Sequence, residues 1–362
     1  MLPVLVQIEP QLKQLRSALS NNNNINSAIA DYECAIASLP AQFGWQVEYE
    51  IREALGLDGN SNLRRNKEKG WKSYISRHQG YDPLKLLEQY PKLAVAFLCH
   101  NDGYVREEAL RQVHHNKISP FLLTIISVRL NDWVPAVRTQ AIKTLFGLLD
   151  HVSNDYLSLL VPFLIIRSNS WNRWKYEKSR FIAHMVDPHF IVRISEAMIQ
   201  AKNGSMSRCL GILSEHSEYD ASLMTLHKSA AQPTVRERAT RMLLDGYASI
   251  FRGYHLRRRL VLAHSINELL GITHNAVMEN DINRERVKVF EQRPLTIKYS
   301  KAAVLTTAAK DKSPFVRRHA ASFLITQRQN IYEYRDALDE LKEDQHPFVA
   351  PRMNFLFRKL EE

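Results

Sequence analysis

Cysteine and glycine are both scarce in this sequence. Its 362 residues include three cysteines, at positions 34, 99 and 209, which are odd in number and far apart. No close pair points to a metal site or a redox couple, so the cysteines favour a reducing compartment, the cytoplasm. Only 12 residues are glycine while 45% are hydrophobic, a composition typical of a folded, helix-rich chain and not of a disordered one.

Long apolar runs and nucleotide-binding glycine loops are also missing. The first nine residues lack the basic segment with which a signal peptide begins, and no apolar run is long enough to span a bilayer. We therefore expect a soluble protein with no membrane partner. The sequence contains no Gly-x-x-x-x-Gly-Lys, Gly-x-Ser-x-Gly or Gly-x-Gly-x-x-Gly motif. Nucleotide hydrolysis and acyl transfer therefore lack support, and we expect no small-molecule cofactor.

A short pattern recurs along the chain: a valine, an arginine directly after it, and a small residue four positions after the valine. It is clearest in 132–141 and 311–320, where a polar turn with a proline leads into a helix. Further copies lie at 104–109 and 233–239, and degenerate ones at 187–193 and 344–350. Successive valines are separated by 32, 55, 43, 81 and 33 residues. Most of these steps suit one helical hairpin, so the spacing predicts a stack of two-helix units.

These copies resemble the HEAT repeat, whose second helix typically opens with Asp, Pro, Val, Arg and Ala. The resemblance covers residues 91–362 and implies an all-α protein, a right-handed α-solenoid of helical hairpins. In that family the Asp and the Arg pair along the stack, and the second helices line the concave side. The resemblance assigns this ladder to two copies, with Asp132 and Arg138 in one and Asp311 and Arg317 in the other.

Elsewhere the chain departs from the family pattern. Ala230 takes the place of the Asp, Ala350 that of the Arg and Glu196 that of the small residue, so we expect the ladder to be interrupted at these copies. Residues 1–90 do not follow the repeat. We therefore expect a helical N-terminal capping region at 1–90, followed by the HEAT-like solenoid at 91–362.

Periodicity and capping signals locate the individual helices. The first is expected at 4–20, with Pro10 as an alternative start, and Ser27 is expected to cap the second. Further helices are expected at 27–39 and 45–56, and one should begin at Asp82-Pro83. The predicted pairs are 91–100 with 103–115, 118–130 with 134–150, 174–186 with 189–201, 219–229 with 233–249, 300–311 with 314–328, and 331–343 with 347–361. An extra helix is expected around 156–166, and two more at 256–270 and 283–291.

Positive charge is in excess and unevenly distributed. The chain has 49 Lys and Arg against 38 Asp and Glu, a formal charge of +11. Residues 1–60 carry three basic and seven acidic residues, a balance of −4, so the remainder carries +15. Such an excess raises the local concentration of a polyanion. The basic residues concentrate in 61–80, 167–180 and 252–259, where aromatic residues are interleaved with them.

Cations bind phosphates and flat rings stack on bases, so these stretches suit a nucleic acid. We therefore predict a non-enzymatic scaffold with a basic, largely concave surface that binds a polyanionic partner, nucleic acid backbone being the first choice. The residues predicted to make contact are Arg64, Arg65, Lys69, Lys72, Arg173, Lys175, Arg257, Arg258 and Arg259.

Two interpretations compete with this prediction. The cations could be the solvated faces of ordinary helices, as charge runs usually are. The arginines at 257–259 could equally grip the carboxylates of an acidic protein surface, which would make the chain a protein-only adaptor.

Enzyme and metal chemistry have weaker support in the sequence. Some proteins that resemble the HEAT family are alkylpurine DNA glycosylases that use a carboxylate and tryptophan rings. Trp174 and Glu177, three residues apart on one helix, could imitate that arrangement. His184, Asp187 and His189 are close together, but the repeat turn already explains Asp187, so we expect no metal site.

Overall fold

A computed structural model of the chain describes residues 6–44, 46–57, 82–168, 170–173, 176–258 and 284–361. Most of these residues are helical, as predicted. The helices are, in chain order, α1 (Glu9–Asn21), α2 (Ile25–Ala37), α3 (Glu48–Leu55), α4 (Pro83–Gln89), α5 (Ala94–Phe97), α6 (Gly103–Gln112), α7 (Pro120–Val128), α8 (Pro135–Leu149), α9 (Asn154–Ser168), α10 (Tyr176–Met185), α11 (Pro188–Gln200), α12 (Met206–Leu213), α13 (Leu223–Ser229), α14 (Pro233–Asp245), α15 (Lys301–Ala309), α16 (Pro314–Thr326), α17 (Arg335–Leu341) and α18 (Ala350–Glu361). Strands β1 (Tyr247–Arg258) and β2 (Arg284–Pro294) pair antiparallel.

The ends of the N-terminal helices follow from local chemistry. Pro10 lies in the first turn of α1, where its missing N–H is harmless, so the helix begins within one residue of the predicted start at Pro10. The other predicted start, at residue 4, lies outside the described residues. Asn22 ends the helix in the left-handed conformation, with φ 50°. The predicted cap at Ser27 is wrong, because Asn24 precedes α2 and Ser27 lies inside it. Asp82 caps α4 as predicted, accepting a hydrogen bond from the backbone N of Leu84 at 3.0 Å.

The predicted pairs of helices are present, with shorter bounds at many ends. Helix α8 buries Val137, Ala141 and Leu145, the three residues whose spacing predicted one apolar face. Helix α16 buries Val316 and Ala320 in the same way. The extra helix expected around 156–166 is α9. Deep burial of one apolar stripe per helix gives most of the stability of such short helices.

The two helices predicted at 256–270 and 283–291 are wrong where the structure describes them. Residues 247–258 and 284–294 are strands instead, and 259–283 lie outside the described residues. The alternation Arg286-Val287-Lys288-Val289 has the period of a strand, and β-branched and aromatic residues favour that conformation. The described part of the chain is therefore mostly helical, with one antiparallel hairpin.

Arg252 interrupts the register of the hairpin. Phe251 pairs with Phe290 and Gly253 with Val289, which leaves Arg252 as a bulge. Gly253 has φ 132°, a conformation that residues with a Cβ rarely adopt. The bulge lets Tyr254, three residues after Phe251, return to the same face of the ribbon as Phe251.

The chain divides into two compact units. The first comprises residues 1–209 with 229–232, and the second comprises 210–228 with 233–362. The boundary predicted near residue 90 and the stacking of the hairpins into a solenoid stay predictions. None of the helices within the described residues is long and apolar enough to cross a membrane.

Candidate nucleic-acid and anion interfaces

The arginine of each clear repeat copy is held by a carboxylate further along the chain. In the first unit, Arg106 donates from Nε and Nη2 to the two carboxylate oxygens of Asp132, at 2.9 and 2.8 Å. Both side chains are only 2% exposed. Burial raises the pKa of the Asp132 carboxyl, but the hydrogen bond from Arg106 and the charge of Arg129 outweigh it, so the pKa is lowered. Asp132 is a buried anion with its partners in place.

Glu177 forms the next contact of the same kind. Arg138 donates from Nε to Glu177 Oε1 at 3.0 Å and from Nη1 to the carbonyl of Asp132 at 2.9 Å. Glu177 is 7% exposed. The residue considered as a glycosylase carboxylate therefore takes the position that an Asp occupies elsewhere in the ladder. Trp174, the ring that the glycosylase interpretation combined with Glu177, lies outside the described residues.

The second unit repeats this geometry. Arg236 donates to Asp311 at 2.7 and 2.9 Å, and Arg317 donates to Asp344 at 2.6 Å. Burial opposes ionisation of both carboxylates, yet the bound arginines lower the pKa of each. Sequence reasoning assigned the ladder to two copies and missed Arg106 and Arg236. An arginine directly after the valine was the available signal in both.

The ladder is interrupted where a residue of the pattern is missing. Arg193, in the copy before Ala230, donates to the backbone carbonyls of Leu149 and Val152. A carbonyl satisfies the guanidinium without supplying a compensating charge. The expected interruption at this copy is thus present.

An arginine-rich cavity of about 330 Å³ opens in the first unit. Its lining combines five arginines, two carboxylates and three aromatic rings, namely Arg52, Arg106, Arg129, Arg167, Arg173, Glu48, Asp132, Trp133, Phe163 and Trp171, with Asn101, Val128 and Asn131. Trp133 is 69% exposed, although it is a large aromatic residue. The cavity therefore offers positive charge and stacking surfaces together.

Arg129 links the two carboxylates of this cavity. It donates from Nη1 to Asp132 at 3.0 Å and from Nη2 to Glu48, which also pairs with Arg52. The buried Nε of Arg129 has no hydrogen-bond acceptor among the described residues. Three guanidinium groups, those of Arg52, Arg106 and Arg129, thus share the carboxylates of Glu48 and Asp132.

The hairpin carries the second concentration of exposed cations and rings. Phe251, Tyr254 and Phe290 are 48%, 58% and 53% exposed. Ring centroids of Phe251 lie 5.3 Å from Tyr254 and 5.7 Å from Phe290, both edge to face. Lys288 pairs with Tyr254 in the register, and Arg286 follows two residues away. These five residues, called the hairpin face below, form one continuous surface.

The structure describes three of the nine predicted contact residues. Arg173 is exposed at the cavity of the first unit, while Arg257 and Arg258 are the last two residues of β1 in the second unit. Arg257 and Arg258 were predicted on a helix, but they lie on a strand. The others, Arg64, Arg65, Lys69, Lys72, Lys175 and Arg259, lie outside the described residues. Arg167 and Trp171 lie in the basic stretch 167–180 that the sequence singled out, although they were not among the nine predicted contact residues. Sequence reasoning missed Trp133 at the cavity, and Arg286 and Lys288 on the second strand of the hairpin.

His184, Asp187 and His189, considered above as metal ligands, make other contacts. His184 stacks on Phe146 with ring centroids 4.2 Å apart, and Asp187 accepts a hydrogen bond from the backbone N of His189 at 3.0 Å. Asp187 therefore caps α11, as the repeat turn predicted. Within the described part of the chain, no group of three or more His, Cys, Asp or Glu side chains is arranged to hold a metal ion.

Comparisons of the chain with models of protein families, with curated proteins and with solved structures gave no match.

Proposed function

We propose that this protein is a non-enzymatic binding protein that holds a nucleic acid backbone against the hairpin of its second unit. The observation that carries the proposal is the hairpin face, where three exposed rings lie beside Arg286 and Lys288. Phosphates attract the cations, and the rings supply flat surfaces on which bases stack.

The charges of the hairpin divide between its base and its outer part. Near the base, Arg252 pairs with Glu215 and with Glu291, and Arg293 pairs with Asp220. The pairs with Glu215 and Asp220 join the strands to the helical part of the unit, and the pair with Glu291 joins the two strands to each other. Since both arginines have acidic partners, they contribute little to an external field.

The sequence of the outer part has an excess of basic residues. Residues 254–258 and 284–290 contain four Arg and one Lys against Glu285 alone, a balance of +4. No ion pair joins Arg286 or Lys288 to another described residue. The exposed Arg286 and Lys288, in a stretch whose sequence carries +4, concentrate polyanions near the ribbon and accelerate association at low salt.

The geometry of the ribbon suits a nucleic acid groove. Arg286, Lys288 and Phe290 are alternate residues of β2, so they project from one face at intervals of about 7 Å. The major groove of duplex DNA admits a two-stranded ribbon, whose cations then reach phosphates on both sides. Contacts of this type depend little on base sequence.

The same proposal includes a HEAT-like architecture within each unit. It is supported by the paired arginines, which join successive hairpins through Arg106 and Asp132 in the first unit and through Arg317 and Asp344 in the second. Such a framework of rigid helices would hold the hairpin in a fixed orientation.

A gel-shift series with duplex DNA at low salt tests the proposal. We expect the wild-type chain to bind, and we expect Arg286→Ala with Lys288→Ala to weaken binding by roughly tenfold or more. Lys342→Ala, which removes an exposed lysine outside the hairpin, is the matched control and should bind as the wild type does. Absence of binding by the wild type at low salt would overturn the proposal.

A protein partner is the second candidate, favoured by the exposure of Phe251, Tyr254 and Phe290. Aromatic residues beside arginine are typical anchors of protein interfaces. Co-purification of one stoichiometric protein that survives high salt and is lost in Phe290→Ala would favour this adaptor function over nucleic acid binding.

A further inference from the structure

We infer that helices α16 and α18 of the second unit carry a docking surface for an acidic segment of a partner protein, one in which carboxylates flank large apolar side chains. The surface consists of Phe315, Arg318, Phe348, Phe355 and Arg358 and is called the phenylalanine face below. This inference goes beyond the proposed function, because it concerns residues outside the hairpin and a protein ligand in place of a nucleic acid.

Direct contacts hold the two helices of this surface side by side. The ring of Phe315, at the start of α16, lies beside that of Phe348, in the turn before α18, with centroids 5.5 Å apart. Arg352 of α18 donates from Nε to Ser322 Oγ of α16 at 3.0 Å and from Nη1 to the carbonyl of Phe348 at 2.8 Å. The surface is therefore organised before a partner arrives, which lowers the entropy that binding costs.

The three phenylalanines supply apolar area that is open to solvent. Phe315, Phe348 and Phe355 are 46%, 41% and 39% exposed. Phe355 follows Phe348 by seven residues, the spacing at which side chains of a helix share one side. A single exposed apolar residue is ordinary, but several together mark a surface that gains free energy when a partner covers it.

The arginines lie over these rings. Arg318 has its Cζ 5.5 Å from the ring centroid of Phe315 and 5.9 Å from that of Phe348, and Arg358 has its Cζ 5.6 Å from that of Phe355. These cation–π contacts hold the guanidinium groups in place. They also occupy ring faces on which a base would otherwise stack, so the surface suits a peptide better than a nucleic acid.

The charge of the phenylalanine face favours an acidic ligand. Helix α16 has no Asp or Glu, and α18 has only Glu361, at its last position. Asp344, in the turn before α18, is already held by Arg317. Among the described residues, no ion pair joins Arg318 or Arg358 to a carboxylate. A partner's carboxylates would therefore meet two guanidinium groups without competitors, beside rings of the kind that anchor protein interfaces.

Calorimetric titration of the full chain with synthetic peptides tests the inference. The probe is a short peptide in which Asp residues flank Phe and Leu residues. One matched peptide has Asn in place of Asp, and another has Ser in place of Phe and Leu. We expect both matched peptides to bind roughly tenfold or more weakly than the probe, since each lacks one class of contact. No binding of the probe at millimolar concentration, or equal binding of the Asn peptide, would overturn the inference.

Variants assign the contacts to the phenylalanine face. Arg318→Ala and Phe355→Ala should each weaken the probe peptide by roughly tenfold. Arg328→Ala and Tyr332→Ala are the matched controls, since both residues are exposed in the turn that follows α16, and both variants should bind as the wild type does. Equal affinity of all four variants, with melting temperatures kept, would contradict the assignment.

A charge reversal separates a lost contact from a lost fold. The variant with Arg318→Glu and Arg358→Glu should lose the probe peptide and bind a peptide with Lys in place of Asp more tightly than the wild type does. If the reversed variant bound neither peptide while keeping its melting temperature, the inference would be contradicted.

The same titrations distinguish this surface from the hairpin. Arg286→Ala with Lys288→Ala should leave the affinity for the probe peptide unchanged, so that failure at the hairpin and failure at the phenylalanine face are separate results. A short single-stranded DNA that displaces the peptide from the wild type and no longer binds Arg318→Ala would assign the surface to nucleic acid and overturn the inference.

Discussion

Basic side chains of the ladder and of the hairpin differ in exposure and in pairing. In the ladder, Arg106 is 2% exposed and donates to a carboxylate and to the carbonyls of His100 and Asn101. In the hairpin, Arg286 and Lys288 are exposed and no carboxylate pairs with them among the described residues. Only cations of the second kind are available to a partner. A count of basic residues therefore overstates the surface that can bind a polyanion.

The largest effect is expected from breaking the ladder. Arg106→Ala leaves the buried Asp132 without its main partner, so we expect the free energy of unfolding to fall by about 3 to 5 kcal/mol. Urea titration followed by circular dichroism measures it. Arg111→Ala, which removes an exposed partner of Glu107 and Glu108, is the control and should lower the free energy by less than about 1 kcal/mol. Equal effects of the two changes would contradict the assignment of Arg106.

The next largest effect is expected in the pH dependence of the free energy of unfolding, and it arises from His227 in the second unit. Burial lowers the pKa of His227 to about 4, against a weaker opposing effect of Asp311, and its Nδ1 lies 2.7 Å from the hydroxyl of Thr240. The unfolded chain takes up the proton near pH 6.5, but the folded chain does so only near pH 4. The free energy of unfolding should therefore fall as pH is lowered from 6.5 to 4, by up to about 3 kcal/mol from this residue.

Comparison with His227→Gln isolates that effect. Burial also lowers the pKa of His319, which gives both proteins a second contribution of the same sign, so the difference between them reports His227. The ladder carboxylates, whose pKa values are lowered, also make stability fall below about pH 5, but both proteins share this contribution and it cancels in the difference. A variant that loses stability over pH 6.5 to 4 as steeply as the wild type would contradict the prediction.

A smaller effect is expected from the rings of the hairpin. Tyr254→Ala removes one stacking surface and should weaken binding of single-stranded DNA by about 1 to 3 kcal/mol, measured by fluorescence anisotropy. Trp133→Ala, in the cavity of the other unit, is the matched aromatic control and should leave the affinity for single-stranded DNA unchanged. A larger loss of affinity in Trp133→Ala than in Tyr254→Ala would place the site for single-stranded DNA in the cavity and not on the hairpin.

The helical part of this fold was predictable because its signals are local. Asp82 before Pro83, and the stripe of Val137, Ala141 and Leu145, fix a helix start and a buried face within a few residues. The hairpin was missed because the run Arg257–Arg259 was interpreted as a helix face. The alternation in 286–289 was the stronger signal, with strand period and β-branched residues.

The candidate sites were less predictable because they depend on distant residues. Arg138 is paired by Glu177, 39 positions away, and Arg236 by Asp311, 75 positions away. No periodicity encodes such partners, so the sequence could not separate the buried arginines from the exposed ones. Arg173 was predicted as a contact residue, but the cavity that it lines also requires Arg52 and Trp133 from other elements.

The salt dependence of duplex DNA binding tests whether the exposed cations of the hairpin contact phosphates. The logarithm of the binding constant is plotted against the logarithm of salt concentration for the wild type and for the variant with Arg286→Ala and Lys288→Ala. The claim that exposed hairpin cations contact phosphates predicts a linear fall for the wild type, and a slope smaller by about 1.8 for the variant, since each lost phosphate contact removes about 0.9. An unchanged slope in the variant, or wild-type binding that is independent of salt, would contradict it.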